Sequence, residues 1–248
     1  MKYKLFLSMV VSSMLFILCN ENKVEVKTPA HQLLEKGIIG SGGWESWTDL
    51  DTIQFYKTTK LYLEDGSLED STYQLHTYFM YPTMNGKYSW EKDQKKYEVE
   101  YKNGNMSKSI DGIEQKISKE EQEKLRKGFL GAQFVMSLPF KLNDSGVELA
   151  LDGKSTINGR IVDVLKASYH TKFENHTESH DWWHYINAES GKLEGYKVHH
   201  PPTYARVSNV TTTRIKGVDF PTYRKTFRVD KEDNEQYVRG EFWYEYVD

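Results

Sequence analysis

The 248-residue sequence contains one cysteine, six prolines and no excess of basic charge. One cysteine excludes an intrachain disulfide framework and a zinc site built from several cysteines. Six prolines and 17 glycines exclude the collagen-like, proline-rich and low-complexity classes. The formal net charge is -3, and the 33 basic residues are scattered along the chain, so no nucleic-acid partner is indicated.

Signatures of common catalytic sites are also missing from the sequence. No Gly-x-Ser-x-Gly motif occurs, so the nucleophile turn of serine hydrolases is not indicated. The glycine-rich stretch at 40–43 is followed by tryptophan, whereas a phosphate-binding loop needs Lys-Ser/Thr there. We therefore expect a protein that is not an enzyme and that needs no cofactor.

Aromatic side chains are what the sequence has in abundance. They make up 14% of the residues, within a hydrophobic share of 38%. Disordered chains contain few aromatic residues, and aromatic residues are enriched in β-strands. The chain is also long enough to bury a substantial core. These features together predict a β-rich globular domain.

The N-terminus has the pattern of a secretory signal peptide. Two lysines precede an uncharged run over residues 5–18, which is short for a membrane-spanning helix. The chain turns polar immediately after Cys19. We therefore expect residues 1–19 to be a signal peptide and the protein to be exported to the cell envelope.

Cys19 is the predicted site of lipid attachment. The sole cysteine lies where the apolar run meets the polar chain, which resembles a bacterial lipoprotein signal. Leu18 differs from the small residue usual before such a cysteine, so an ordinary cleaved signal peptide or a signal anchor is the alternative. An attached lipid would contribute ~0.8 kcal/mol per buried methylene to membrane binding. Residues 20–28 would then be a tether between an outer-membrane anchor and a single domain at 29–248.

Two helices are predicted. Thr28 precedes proline in the arrangement of an N-cap, and the helix that follows ends at the glycines of 40–43. Trp44 and Trp47 are expected in the next loop. Ser118 has capping-box spacing at the start of the second helix. One face of that helix carries Leu125, Phe129, Ala132 and Met136.

Alternating strand patterns fill the rest of the chain. They lie at residues 52–63, 71–81, 86–92, 95–101, 145–151, 159–170, 181–187, 193–200, 204–216, 221–230 and 236–247. Turn signals such as Asn103-Gly104 separate them. Successive strands without intervening helices pair antiparallel. Because ~11–12 strands overfill a flat sheet, we predict a mainly β fold: a strongly curved antiparallel sheet, or open half-barrel, with two helices on its concave side.

Five segments resemble the outer-membrane lipoprotein carrier superfamily. They are residues 33–36 (LLEK) with Gly42-Gly43, 138–142 (LPFKL), 158–165 (NGRIVDVL), 185–193 (YINAESGKL) and 217–222 (GVDFPT). The chain is most similar to a group of exported, often lipidated Gram-negative proteins of unknown function with that fold. Together the segments span nearly all of the chain after the signal peptide.

The resemblance implies an unclosed barrel whose cavity accepts acyl chains or another apolar ligand without catalysis. We expect the cavity to be lined by Phe55, Leu61, Leu75, Phe79, Val164 and Trp183 from the strands, and by Phe129 and Met136 from the covering helix. The implied partners are a lipid or another apolar small molecule, and a membrane reached through the N-terminal lipid anchor.

Histidines cluster between residues 170 and 200 and suggest a second hypothesis. The candidate metal ligands are His176, His180, His184, His199 and His200. Three of them are four residues apart, which on a helix would align them, but residues 181–186 alternate like a strand. Pairing of 181–187 with 193–200 would instead bring His180 near His199 or His200. A metal-dependent hydrolase that uses the His170–His200 cluster is thus the alternative function, and exposed loop histidines are the simpler interpretation.

The aromatic residues allow a third hypothesis. Exposed tyrosine and tryptophan side chains on a sheet can stack against sugars, which would give a surface module that recognises glycans or proteins. Alternatively, strand faces such as Phe242, Tyr244 and Tyr246 simply fill the core.

Overall fold

The computed structural model describes residues 27–80, 85–169 and 181–247. Within these ranges, thirteen strands form one open antiparallel sheet, accompanied by three α-helices and a short 3-10 helix. None of these helices has both the length and the apolar character needed to cross a bilayer. The expectations for residues 1–26, including lipid attachment at Cys19, lie outside the described residues.

The helices are α1 (Pro29–Gly40), α2 (Gly43–Thr48) and α3 (Lys119–Met136), followed by the 3-10 helix Phe140–Asn143. Both predicted N-caps are confirmed. The hydroxyl of Thr28 accepts the backbone N–H of His31 (3.3 Å), and that of Ser118 accepts the backbone N–H of Glu121 (3.1 Å).

The expectation that Trp44 and Trp47 lie in a loop is wrong, because both belong to α2. Gly42 and Gly43 adopt positive φ angles of 122° and 83°, which redirect the chain into a new helical turn. Trp47 then stacks on Phe140 of the 3-10 helix, with ring centroids 4.4 Å apart.

The strands are long and follow one another along the chain. They are β1 (Thr52–Tyr62), β2 (Leu68–Phe79), β3 (Asn85–Lys92), β4 (Lys95–Lys102), β5 (Asn105–Ile110), β6 (Ile113–Glu114), β7 (Val147–Ile157), β8 (Arg160–Tyr169), β9 (Asp181–Asn187), β10 (Leu193–His200), β11 (Thr203–Ile215), β12 (Val218–Val229) and β13 (Glu235–Tyr246).

The sheet order is β6-β5-β4-β3-β2-β1-β13-β12-β11-β10-β9-β8-β7. Two meanders, β1–β6 and β7–β13, are therefore joined where β1 pairs antiparallel with β13. The prediction of a mainly β, antiparallel open half-barrel is confirmed. The structure has more strands than expected because β5 and the two-residue β6 follow the turn at 103–104 in a largely polar segment.

The core lies between the helices and one face of the sheet, which we call the inner face. Helix α1 packs against β7, β8 and β9, and α3 packs against β4 and β5. Phe129 of α3 lies edge-on to Tyr78 of β2, and Phe134 lies edge-on to Trp182 of β9. Helix α3 therefore crosses the inner face and connects the two meanders.

Candidate functional site

A cleft opens in the sheet where β2 and β3 separate. The two strands pair only over Leu75–Phe79 and Asn85–Ser89. The earlier half of β2 remains paired with β1, and the end of β3 remains paired with β4. The hairpins β1–β2 and β3–β4 therefore diverge at the residues that precede Leu75 in β2 and follow Ser89 in β3. We call the space between them the β2–β3 cleft.

The β2–β3 cleft has a volume of about 920 Å³ and is open to solvent. It is lined by Tyr56, residues 70–75, residues 89–92 and Lys96. Its volume is at the upper end of the ~300–1,000 Å³ that is usual for small-molecule sites. Four large side chains, Tyr56, Tyr73, Leu75 and Trp90, provide apolar surface, and Tyr56 and Tyr73 stack with centroids 5.3 Å apart.

A series of stacked rings on the inner face leads from the core to this cleft. We call Phe55, His76, Tyr88, Trp90 and Tyr97 the ring track. Successive centroids are 5.3, 5.4, 5.8 and 5.2 Å apart, and every pair is stacked. Exposure rises along the track, from 1% at Phe55 to half-buried at Trp90 and Tyr97. The ring track therefore joins the buried core to the open end of the cleft.

His76 is the polar member of the ring track and is kept neutral. Burial, assisted by the charge of Lys57, lowers its pKa from 6.5 to about 3. Its Nδ1 lies 3.1 Å from the Tyr78 hydroxyl, and its Nε2 lies 3.3 Å from Oε1 of Gln74. A neutral, hydrogen-bonded imidazole can stack like an aromatic ring, so the track carries no charge at this position.

The eight residues predicted to line the cavity do not come together in one place. Phe55, Phe129 and Met136 are buried in the core beneath α3. Leu61 lies further along β1 on the same face as Phe55, half-buried. Leu75 lines the β2–β3 cleft.

Leu75 and the other three predicted cavity residues lie on the outer face of the sheet. Phe79 is 43% exposed. Val164 is buried and Trp183 half-buried in a small outer cluster with Ile157, Val162 and Tyr185. Successive residues of a strand point to opposite faces of the sheet. The sequence pattern did not show for every strand which set of alternate residues faces the core, so some residues were assigned to the wrong face.

Tight packing explains why the inner face offers little space near the end of α3. The cavity lined there by Met136, Leu193, Asn209 and Arg224 has a volume of about 20 Å³, which is room for roughly one water molecule. At this place, side chains fill the space between helix and sheet where we expected part of the apolar cavity.

Arg224 is a buried charge in the same region. Its Nε donates to Oδ1 of Asn209 (2.8 Å), and its Nη2 donates to the backbone carbonyl of Val135 (3.0 Å). Its guanidinium also lies 5.8 Å from the ring centroid of Tyr244. The carbonyls at the end of a helix carry partial negative charge, so Arg224 is stabilised by the C-terminal end of α3.

The described candidate metal ligands are not brought together. His184 is fully buried on the inner face beside Tyr196, and His199 stacks on Tyr204 on the outer face (4.2 Å). His200 follows on the inner face at the end of β10. The described ranges contain no group of three or more His, Cys, Asp or Glu side chains that could hold a metal ion. His170, His176 and His180 lie outside the described residues.

The outer face carries the aromatic surface that the glycan hypothesis required. Tyr73, Thr58, Trp243 and Tyr223 are opposite one another on four neighbouring strands. Tyr223 stacks on Trp243 (5.2 Å), and the amine of Lys60 lies 5.4 Å from the Trp243 ring centroid. Since Trp243 already has contacts from both neighbours, cross-strand stacking accounts for this pair, and glycan recognition stays a prediction.

Of the residues that line the cleft, Leu75 was predicted to line an apolar cavity, whereas Tyr56, Tyr73 and Trp90 were not. All three were within predicted strands, and their aromatic character was the available signal. The position at which β2 and β3 stop pairing was not visible, because it depends on how far two hairpins diverge and not on local alternation.

The fold resembles that of several solved structures. The fold is shared with a DUF1329 family protein from Desulfovibrio piger, at 8% identity and a TM-score of 0.54, over 90% of this chain and 92% of that chain. It is also shared with a LolA superfamily protein from Nitrosomonas europaea, at 11% identity and a TM-score of 0.51, over 90% and 93%.

A third structure with this fold is a domain assigned to outer membrane lipoprotein sorting, from Vibrio parahaemolyticus. It has 8% identity and a TM-score of 0.51, over 88% of this chain and 92% of that chain. At such identities the likeness shows the fold alone, which is the open half-barrel of the LolA superfamily.

Residues 10–210 match the model of DUF6503, a family of unknown function, and the chain belongs to that family. The search of the curated proteins gave no match.

Proposed function

We propose that this protein is a non-catalytic binding protein of the bacterial cell envelope that holds a lipid or another apolar molecule in the β2–β3 cleft. The envelope location is supported by the signal-like N-terminus and by the lipoprotein-sorting description of one protein with this fold. A non-catalytic role is consistent with the absence of nucleophile and phosphate-loop motifs from the sequence.

The observation that carries the proposal is the apolar wall of the cleft. Tyr56, Tyr73 and Leu75 border a space of about 920 Å³ from the outer face, and Trp90 borders it from the inner face. Polar and charged residues complete the lining. Transfer of a hydrocarbon chain from water to such a wall contributes ~0.8 kcal/mol per buried methylene. A chain of ten or so carbons would therefore gain enough to offset the ordering costs of binding. Trp90 belongs to both the cleft and the ring track, so it should contact the ligand most extensively.

Replacement of Trp90 tests this site. We expect Trp90→Ala to weaken binding of an apolar fluorescent probe by at least about 10-fold, because an indole provides one of the largest apolar surfaces available to a ligand. The measurement is a fluorescence titration with 1-N-phenylnaphthylamine, followed by displacement with dodecanol. Trp243→Ala is the matched control, since Trp243 is also a half-buried, stacked tryptophan but lies outside the cleft.

Two results would count against the proposal. The parent protein could fail to take up the probe at all. Alternatively, the Trp90→Ala and Trp243→Ala proteins could lose affinity equally, which would indicate a general loss of structure or a binding site elsewhere. Circular dichroism of both variants separates these two explanations.

A further inference from the structure

Three lysines lie at the turn between β3 and β4. Lys92 and Lys95 are directly opposite each other in the hairpin register, and Lys96 follows. All three side chains are exposed, and in the described part of the chain none of them makes an ion pair. Like charges directly opposite each other destabilise a strand pair, so this turn carries an electrostatic cost that a bound anion would relieve.

The lysines continue the ring track. Lys92 is two residues beyond Trp90, and Lys95 is two residues before Tyr97, so each shares a face with its ring. The two rings stack with centroids 5.2 Å apart. Lys92 and Lys96 also line the β2–β3 cleft. An apolar surface therefore ends directly at a group of cations.

Several carboxylates lie near this turn. Asp93 is in the turn itself, between Lys92 and Lys95, and Asp111 accepts the backbone N–H of Lys96 (2.8 Å). Glu69 pairs with Arg239 (2.6 Å) and is therefore engaged elsewhere. Asp70 lies across the cleft, where it accepts the backbone N–H of Ser71 (2.9 Å). Glu91 is opposite Lys96 in the register on the outer face. Lys92 and Lys95 thus have Asp70 across the cleft and Asp93 in their turn, and neither lysine makes an ion pair among the described residues.

We propose that the ligand of the β2–β3 cleft is an amphiphile with an anionic head group of the phosphate, sulfate or carboxylate type. The hydrocarbon chain lies along Trp90, and the head group binds Lys92 and Lys95, which share the inner face with that ring. This inference rests on the proposed function and specifies its ligand class.

The test compares three probes that share either the chain or the head group. Dodecyl phosphate, dodecanol and inorganic phosphate are titrated below micelle-forming concentrations into purified protein, with 1-N-phenylnaphthylamine displacement and calorimetry as readouts. The variant carries Lys92→Gln and Lys95→Gln. The matched control carries Lys102→Gln and Lys231→Gln, which are exposed lysines away from the cleft.

We expect dodecyl phosphate to bind more tightly than dodecanol, by an amount that shrinks as NaCl is added. The hairpin variant should lose up to about 5-fold in dodecyl phosphate affinity per lysine removed, which is the fold-change equivalent to ~1 kcal/mol for an exposed ion pair. Its affinity for dodecanol should not change, and the control variant should bind both compounds like the parent.

The contrary results are distinguishable. Equal affinity for dodecyl phosphate and dodecanol overturns the head-group inference but leaves the apolar site in place. Equal affinity for inorganic phosphate and dodecyl phosphate identifies a free-anion site and overturns the amphiphile. Failure of both dodecyl compounds to bind overturns the proposed function itself.

Discussion

At the scale of single residues, Arg224 shows how the core tolerates a buried cation. The side chain is 3% exposed and binds an amide oxygen and a helix carbonyl, and its Nη1 lies 3.8 Å from the sulfur of Met136. Asn209 is held in turn by its own amide, which donates to the carbonyl of Leu193 (2.8 Å). The arrangement ties the end of α3 to β11 and β12.

Arg224→Met should therefore lower the free energy of unfolding by about 2–4 kcal/mol. The substitution keeps most of the side-chain volume but leaves the Asn209 and Val135 acceptors buried without their donor. Urea denaturation followed by tryptophan fluorescence measures the change. Arg126→Ala, which removes a helix-surface pair with Glu123, should stay within about 0.5 kcal/mol of the parent. Equal effects of the two substitutions would contradict this account.

Two buried histidines should make the stability of the folded protein depend on pH. Burial lowers the pKa of His184 from 6.5 to about 3, and both ring nitrogens of this residue are buried without a hydrogen-bond partner. His76 has a similar pKa shift. Because the unfolded chain binds protons at these sites before the folded chain does, stability is highest above pH 6.5 and falls as the pH drops towards 3. The loss is up to ~1.4 kcal/mol per pH unit for each histidine.

His184→Leu should remove one of these two contributions. We expect unfolding free energies measured between pH 7 and pH 4 to fall less steeply in the variant, by up to ~1.4 kcal/mol per pH unit, with no loss of stability at pH 7. At neutral pH the leucine replaces two unpaired polar atoms with apolar surface. A variant whose pH dependence matches that of the parent would show that His184 is not the buried neutral group described above.

At the scale of elements, the docking of α1 depends on a close backbone approach. A Cβ atom built on Gly40, the last residue of α1, would lie 2.4 Å from the carbonyl carbon of Gly191 in the turn after β9. The amine of Lys36 also donates to the carbonyl of Ala188 in the same turn (2.5 Å). The end of α1 therefore fits against this turn only without a side chain at position 40.

Gly40→Ala should consequently destabilise the protein by about 1–3 kcal/mol through overpacking. Gly128→Ala is the matched control, because Gly128 is a helical glycine in α3 whose added Cβ would have no atom within 4 Å. That substitution should stabilise the protein by about 0.5–1 kcal/mol. Thermal unfolding of both variants measures the two effects. If Gly40→Ala stabilises the protein, the close approach of Gly40 to the Gly191 backbone is contradicted.

Elements that begin with a local sequence signal could be predicted, whereas very short elements could not. The caps at Thr28 and Ser118 were found because a side-chain oxygen three residues from a backbone N–H is a local signal. Helix α2 was missed because six residues are too short for a clear periodic pattern. β6 was missed because two residues are too few to show an alternating pattern.

The candidate site was harder to predict than the strands that form it. Leu75 and Trp90 both border an open cleft because the β2–β3 ladder stops at Leu75, and this end point is a property of two hairpins together. The alternation of apolar and polar residues predicted the strands, but it did not always predict the face on which each residue lies. Val164 and Trp183 were therefore assigned to the cavity although they belong to the outer cluster.

At the scale of the whole molecule, the open sheet has two unequal halves. Helices α1 and α2 pack on the half formed by β7–β13, and the buried residues there leave little space. The β1–β4 half instead carries the ring track and opens into the β2–β3 cleft. An open sheet that is not closed by pairing of its end strands can diverge in this way, and a closed barrel cannot. The binding site we propose therefore depends on the sheet remaining open.

The location of a bound hydrocarbon chain tests the central claim most directly. The measurement is a ¹⁵N-resolved NMR titration of the protein with dodecanoate, including the indole N–H signals. We predict saturable shifts at the Trp90 indole and at the amides of Tyr56, Tyr73 and Leu75, with little change at Trp183 or Trp243. The absence of saturable shifts in the cleft, or shifts confined to the outer cluster around Trp183, would contradict the account.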